Sequence, residues 1–129
     1  MKITRRELRR LIIETVDAAA EWENVHRNPL VQQVGIDLEQ VFAAAMPDSK
    51  FQFFKSFEDL KGRSARNHGY HELGSLFNVP DKLLSGVRSV LKQTARRNGL
   101  TDDDLKMVQK IDLALSRGLI GEVRIGIKV

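Results

Sequence analysis

The most restrictive feature of this sequence is the spacing of its apolar residues, which recur at steps of three and four along the first part of the chain. Such spacing places them on one face of an α-helix. The first stripe consists of Leu8, Leu11, Ile12, Thr15, Val16, Ala19 and Trp22. Thr4 and Glu7 form a capping box ahead of it, since each side chain can bond a backbone amide of the first turn. We therefore predict a basic amphipathic helix over residues 1–24.

Further helices are predicted along the chain. Asn28 followed by Pro29 starts one that ends at Met46, because proline at the first helical position loses no needed hydrogen bond and Pro47 cannot continue the helix. The later helices are expected over residues 72–77, over residues 81–97 up to Asn98-Gly99, and from Thr101 onward. The three aspartates after Thr101 favour a helix start, where the dipole attracts acids.

The segment Phe51–Leu60 allows two interpretations. Its aromatic residues fit either a helix face or a strand. We favour a helix, because Asp48 or Ser49 can cap it. Residues 61–70 follow as an exposed basic loop with two glycines and three basic residues.

The end of the chain has a different period. In residues 121–129, Val123, Ile125 and Ile127 alternate with other residues, as in a half-buried β-strand. A single strand cannot satisfy its own backbone. It must pair with residues 51–57 of this chain, with a neighbouring subunit or with another protein. These three residues are therefore candidate partner-binding residues.

Length and composition favour one helical domain over residues 1–129. The 129 residues suffice for one core, and apolar residues make up 42% of them. Aromatic residues are only 6%, so the core depends on aliphatic side chains, which suit helix packing. We predict a mainly α fold: a small bundle of five or six helices with a C-terminal β-strand paired within the chain or with a partner.

Several classes of protein are excluded by what the sequence lacks. It has no cysteine, so it holds no disulfide, thiolate metal site or cysteine nucleophile. No apolar run reaches the length of a signal peptide or a membrane span. We expect no membrane contact and a location in the cytoplasm or a virion.

Charge is distributed in blocks along the chain. Residues 1–10 contain five basic residues and one acidic residue, and residues 11–50 contain two and seven. Residues 51–100 contain nine basic and four acidic residues, and the remainder is balanced at five and five. Such blocks suit contact with nucleic acid or with a complementary protein surface, although solvated helix faces have the same pattern. Four basic residues, Arg5, Arg6, Arg9 and Arg10, oppose the dipole of the first helix and are better explained by an external anionic contact.

The segment from His71 to Arg88 resembles a helix-turn-helix. Leu73, Gly74, Asn78, Val79, Leu84 and Val87 fall at the spacings of that family's core and turn. The resemblance implies a second helix that faces the major groove of DNA and lies near its phosphates. The residues it would present are Lys82, Ser85, Arg88, Ser89, Lys92, Arg96 and Arg97. Pro80-Asp81 departs from the pattern, since it is a poor start for a recognition helix, and plain helical packing remains an alternative.

Residues 1–14 resemble an N-terminal stretch found on virion and assembly proteins of tailed phages. Ile12-Ile13-Glu14 is similar to the sites that prohead proteases cleave during head maturation. This resemblance implies a structural protein of a phage-like particle. A well-capped basic helix without that role has the same composition.

No arrangement in the sequence predicts catalysis. His68, Tyr70, His71 and Glu72 cluster, but they lack the helical spacing of a zinc motif and are expected in a solvated loop. No phosphate-binding glycine loop or serine elbow is present. We predict no enzyme, no cofactor and no metal.

Two hypotheses for function remain. The first is a structural or assembly protein that binds a protein partner or forms a homo-oligomer through its basic first helix and terminal strand. The second is a small DNA-binding protein that uses residues 71–97. We favour the first, because an unpaired strand requires a partner.

Overall fold

The computed structural model describes residues 18–61, 65–111 and 119–128. This part of the chain combines helices with an antiparallel sheet of four main strands. In chain order the elements are α1 (18–26), α2 (Pro29–Ala45), β1 (Lys50–Phe53), a 3₁₀ turn (Phe57–Leu60), β2 (Arg66–Asn67), β3 (Tyr70–Pro80), a second 3₁₀ turn (Asp81–Leu83), α3 (Leu84–Arg97), β4 (Leu105–Ile111) and β5 (Leu119–Ile127). The prediction of a mainly α bundle of five or six helices is wrong, and the chain has an α/β fold.

The sheet has the strand order β1-β3-β5-β4, and all neighbouring strands are antiparallel. The two-residue strand β2 pairs with the start of β3, beyond the end of β1. The alternating C-terminal segment is a strand as predicted, but it lies in the interior of the sheet. Its partners are β3 and β4 of the same chain, both of which contain residues predicted to be helical.

Helices α2 and α3 pack beside each other on one face of the sheet. Helix α2 lies against β1 and β3, and α3 lies against β4. The core between the layers is formed by residues of both helices and of the long strands: Val31, Val34, Leu38, Phe42, Leu73, Leu76, Val87, Leu91, Ala95, Leu105, Val123, Ile125 and Ile127. None of the helices in the described ranges is long and apolar enough to span a bilayer.

The start of α2 is confirmed. The Asn28 side chain accepts a hydrogen bond from the Leu30 amide at 2.9 Å, and Pro29 occupies the first turn. The helix ends at Ala45, just before Pro47. Of the predicted first helix, residues 18–26 are helical with Trp22 buried, whereas the capping box and the four arginines lie outside the described residues.

Strand β3 replaces the short helix predicted over residues 72–77. Seven consecutive residues from Tyr70 to Leu76 are buried. A strand buried on both faces shows no alternation of apolar and polar residues, so its period cannot be seen in the sequence. A β-bulge between Glu72 and Gly74 disturbs the period further.

Two other segments predicted as helices also contain strands. Residues 50–53 form edge strand β1, and only residues 57–60 coil, as a 3₁₀ turn. After α3, the Asp104 carboxylate accepts from the Thr101 amide at 2.9 Å and closes a turn that leads into β4. The acidic run therefore makes a turn rather than a helix start.

Candidate functional site

The predicted partner-binding residues of the C-terminal strand lie in the core of the chain. Val123, Ile125 and Ile127 are fully buried in the core, and their strand is hydrogen-bonded on both sides. Of the predicted alternatives, the strand pairs within the chain, but with β3 and β4 rather than with residues 51–57, and the binding of a partner by these residues stays a prediction. Arg5, Arg6, Arg9 and Arg10 lie outside the described residues.

The helix-turn-helix is also absent from residues 71–97, because its first helix is strand β3. The residues predicted to face DNA nevertheless share one surface. All seven are exposed, on the second 3₁₀ turn and on α3: Lys82, Ser85, Arg88, Ser89, Lys92, Arg96 and Arg97.

Helix α3 is amphipathic, with a basic exposed side. Its opposite side buries Val87, Leu91 and Ala95 in the core. No acidic residue occurs between Leu84 and Arg97. The four basic side chains of this helix are all exposed and are called here the α3 basic face: Arg88, Lys92, Arg96 and Arg97. The first three follow at intervals of four residues and therefore line up along the helix.

A groove of about 210 Å³ runs beside this face, between α3 and β4. Its lining combines apolar, basic and acidic residues: Arg88, Leu91, Lys92, Asp102, Asp103, Leu105, Lys106 and Met107. The apolar residues belong to the core side of α3 and β4, and the charged ones lie around them. The groove thus offers a shallow apolar floor beside two cations of the α3 basic face.

The two acidic residues of the groove are already engaged. Arg96 donates two hydrogen bonds of 2.8 Å to Asp102, which lowers the pKa of that carboxyl and raises the pKa of the guanidinium. Asp103 lies 3.4 Å from the Lys106 ammonium. Within the described chain, Arg88 and Lys92 form no ion pair. These two cations are the ones most available to an anionic ligand.

A second cluster joins α1 to the sheet. Trp22 stacks on His26 at 4.2 Å between ring centroids and on His71 at 5.3 Å. The Trp22 indole N–H donates to the Glu72 carbonyl at 3.1 Å. A pocket of about 240 Å³ adjoins Trp22 and His71, and the Glu21–Arg66 ion pair lines it.

This second cluster corrects the prediction for the histidines. His71 and Glu72 are buried in β3, whereas His68 is exposed in the preceding turn, so they do not form one solvated loop. His26 was not singled out by sequence reasoning. Its partner His71 is 45 residues away, and no local spacing marks the pair.

A third group consists of buried charged side chains on strands of the sheet. Arg124 is 3% exposed, donates to Glu122 at 2.8 Å, and lies 3.7 Å from a Glu72 carboxylate oxygen. Ser75 donates to the same Glu122 oxygen at 2.7 Å. The guanidinium also lies 5.0 Å from the centre of the Phe54 ring. Such a group of buried charges, joined by hydrogen bonds through Glu122 and by an ion pair to Glu72, is typical of a structural network.

No group of three or more metal-ligating side chains occurs within the ranges that the structure describes. No protein-family model, curated protein or solved structure matches the chain. A function therefore has to be inferred from the geometry of its own surfaces.

Proposed function

We propose that this chain is a non-enzymatic nucleic-acid-binding protein that contacts phosphates through the α3 basic face. The observation that carries the proposal is a helix whose exposed side holds four cations and no acid. One of them, Arg96, pairs with Asp102 of the neighbouring groove, which leaves three cations of this face for phosphates. Phosphate contacts by arginine and lysine supply most of the affinity of such proteins.

The neutral residues of α3 suit the same role. Ser85, Ser89 and Gln93 are exposed among the basic residues. Hydroxyl and amide groups can donate hydrogen bonds to phosphates or base edges, so this side of the helix holds donors along its whole length.

Assembly by strand addition is less well supported. The terminal strand is paired inside the sheet, and edge strand β4 carries Lys106, Lys110 and a β-bulge between Met107 and Gln109. Lysines and bulges on an edge strand discourage pairing with another chain. The structural or assembly function remains a prediction that depends on residues 1–14, which lie outside the described residues.

The proposal is tested by titrating a fluorescein-labelled 20-base-pair DNA duplex with the protein and following its anisotropy at about 50 and 200 mM salt. If the three cations not paired with Asp102 contact phosphates, a plot of the logarithm of affinity against the logarithm of salt concentration has a slope of about −2.7, which is a loss of about 40-fold between the two conditions. Arg88→Gln combined with Lys92→Gln should reduce the slope to about −0.9 and the loss to about 3.5-fold.

A matched control removes the same net charge elsewhere. Lys55→Gln combined with Lys61→Gln changes two exposed lysines of the β1–β2 connection, far along the chain from α3. This control should keep the wild-type slope. Equal slopes for both double variants, or no binding by the wild type at the lower salt, would contradict the proposal.

A further inference from the structure

Helix α1 is held to the sheet by the only tryptophan of the chain and by two of its three histidines. Trp22, His26 and His71 are 2%, 4% and 2% exposed. His26 also stacks on Phe53 at 4.7 Å, so the two imidazoles lie in mainly aromatic surroundings. Burial among these rings makes a charge on either imidazole costly, even though the pocket of about 240 Å³ adjoins Trp22 and His71.

The two imidazoles touch through their nitrogens. His26 Nδ1 lies 3.4 Å from His71 Nε2, so one of the two nitrogens must carry a hydrogen and donate a hydrogen bond to the other. The neutral pair and the singly protonated pair can both form this hydrogen bond, but a charge on either ring is unfavourable in the buried aromatic surroundings. Protonation of both rings would place two N–H groups against each other and two positive charges side by side in the aromatic cluster.

Few charged groups lie close enough to affect the protonation of the two imidazoles. Arg66 of β2 lies near His71 and disfavours its protonation, and Arg66 is itself paired with Glu21 of α1 at 3.2 Å. Asp59 of the first 3₁₀ turn favours a charged His26. Glu72, the neighbour of His71 in β3, engages Arg124 of β5.

We propose that the His26–His71 contact is an acid-sensitive latch, which holds α1 against the sheet at neutral pH and releases it in mild acid. Release separates the imidazoles, hydrates both rings and exposes Trp22. Helices α2 and α3 have their own core with the sheet and remain in place. The latch is independent of the α3 basic face, so either can fail without the other.

The direction of the effect follows from linkage. Burial, which has the largest effect, and the electrostatic influence of His26 and Arg66 together lower the pKa of His71 to about 4. Burial also lowers the pKa of His26, although a Phe54 backbone hydrogen bond and Asp59 act against it. A histidine freed into water regains a pKa of about 6.5, so between about pH 6.5 and pH 4 the released form binds more protons.

The docked form is therefore fully favoured above about pH 6.5 and loses its advantage as the pH falls toward the lowered pKa. For His71 alone, a change from pH 7.5 to pH 5 multiplies the ratio of released to docked α1 by about 30. Protonation of His26 adds to this factor.

Trp22 reports release without any label. We would measure its emission maximum and its quenching by acrylamide from pH 7.5 to pH 4.5, with far-ultraviolet circular dichroism on the same samples. The expected result is a red shift and stronger quenching below about pH 5.5, while the helical signal of α2 and α3, which hold most of the helical residues in the described ranges, remains. Loss of the whole dichroism signal together with the emission change would overturn a local latch.

Two variants separate the latch from other acid effects. His71→Phe keeps a ring beside Trp22 but cannot be protonated. It should therefore lose the roughly 30-fold change in the ratio of released to docked α1 that His71 contributes between pH 7.5 and pH 5. His68→Gln removes the exposed histidine and should behave as the wild type. A wild-type response in His71→Phe would overturn the proposal. So would an NMR titration of the unmodified protein in which His71 titrates at or above about pH 6.5.

Discussion

Replacement of Arg124 by methionine is expected to destabilise the fold by about 3–5 kcal/mol. The side chain is 3% exposed, bonds Glu122 at 2.8 Å and lies 3.7 Å from Glu72. Methionine has a similar length and can pack against Phe54, so little of the loss comes from an empty cavity. Most of it comes from the loss of this cation by two buried carboxylates.

This loss is large for a chain of this size. Proteins of 129 residues have unfolding free energies of roughly 6–19 kcal/mol. With a urea dependence of about 2 kcal/mol per molar, the midpoint of urea unfolding should fall by about 1.5–2.5 M, which circular dichroism measures directly.

Arg96→Met is the matched control for this experiment. Arg96 also bonds a carboxylate at 2.8 Å, but its side chain is 67% exposed. An exposed ion pair contributes at most about 1 kcal/mol, because water screens it and solvates the partner that remains. If Arg124→Met shifts the midpoint no more than Arg96→Met, the buried network does not stabilise the fold.

Two further predictions concern packing and topology. Gly35→Ala should lower the free energy of unfolding in urea by about 1–3 kcal/mol despite better helix propensity, because the added methyl would overlap the Phe53 ring. Gly86→Ala, whose added methyl meets no atom within 4 Å, should instead stabilise α3 by up to about 1 kcal/mol. Stabilisation by both changes would contradict the role of the Phe53 contact. Deletion of residues 121–129 should abolish cooperative thermal unfolding, since it removes the strand that joins β3 to β4, and a truncated chain with a native dichroism spectrum would contradict this.

The helices of the main core could be predicted because their signals are local. Helix α2 has a capping asparagine, a proline in the first turn and an apolar stripe facing one side only. Helix α3 likewise has one buried side, and it ends at Asn98-Gly99, where Gly99 has a φ of 73° that suits glycine. Each signal depends on residues within one or two turns.

The sheet could not be predicted in the same way, because its signals depend on partners distant in the chain. The short-range spacing of β3 resembled a helix since both of its faces are buried. In β4, Leu105, Val108 and Ile111 have helical spacing, and only pairing with β5 makes the segment extended. Tertiary pairing overrides local propensity in such segments.

The same difference between local and long-range signals applies to the candidate sites. The exposed residues of α3 were selected through a helix-turn-helix that does not exist, yet they share a surface because the second of its two helices is real. His26, His71 and Arg124 lie in clusters assembled from separate elements, and no motif in the sequence connects them.

The position of β5 between β3 and β4 has a consequence for synthesis of the chain on the ribosome. Strand β3 is complete at Pro80, whereas β5 is complete only at Ile127. At about 5–20 residues per second, the growing chain needs about 2–9 s to make the 47 residues between these points. During that interval β1 and β2 can cover one edge of β3, but the edge that β5 will occupy has no partner yet. The nascent chain is therefore most exposed to aggregation, and most in need of a chaperone, after β3 is made and before β5 is complete.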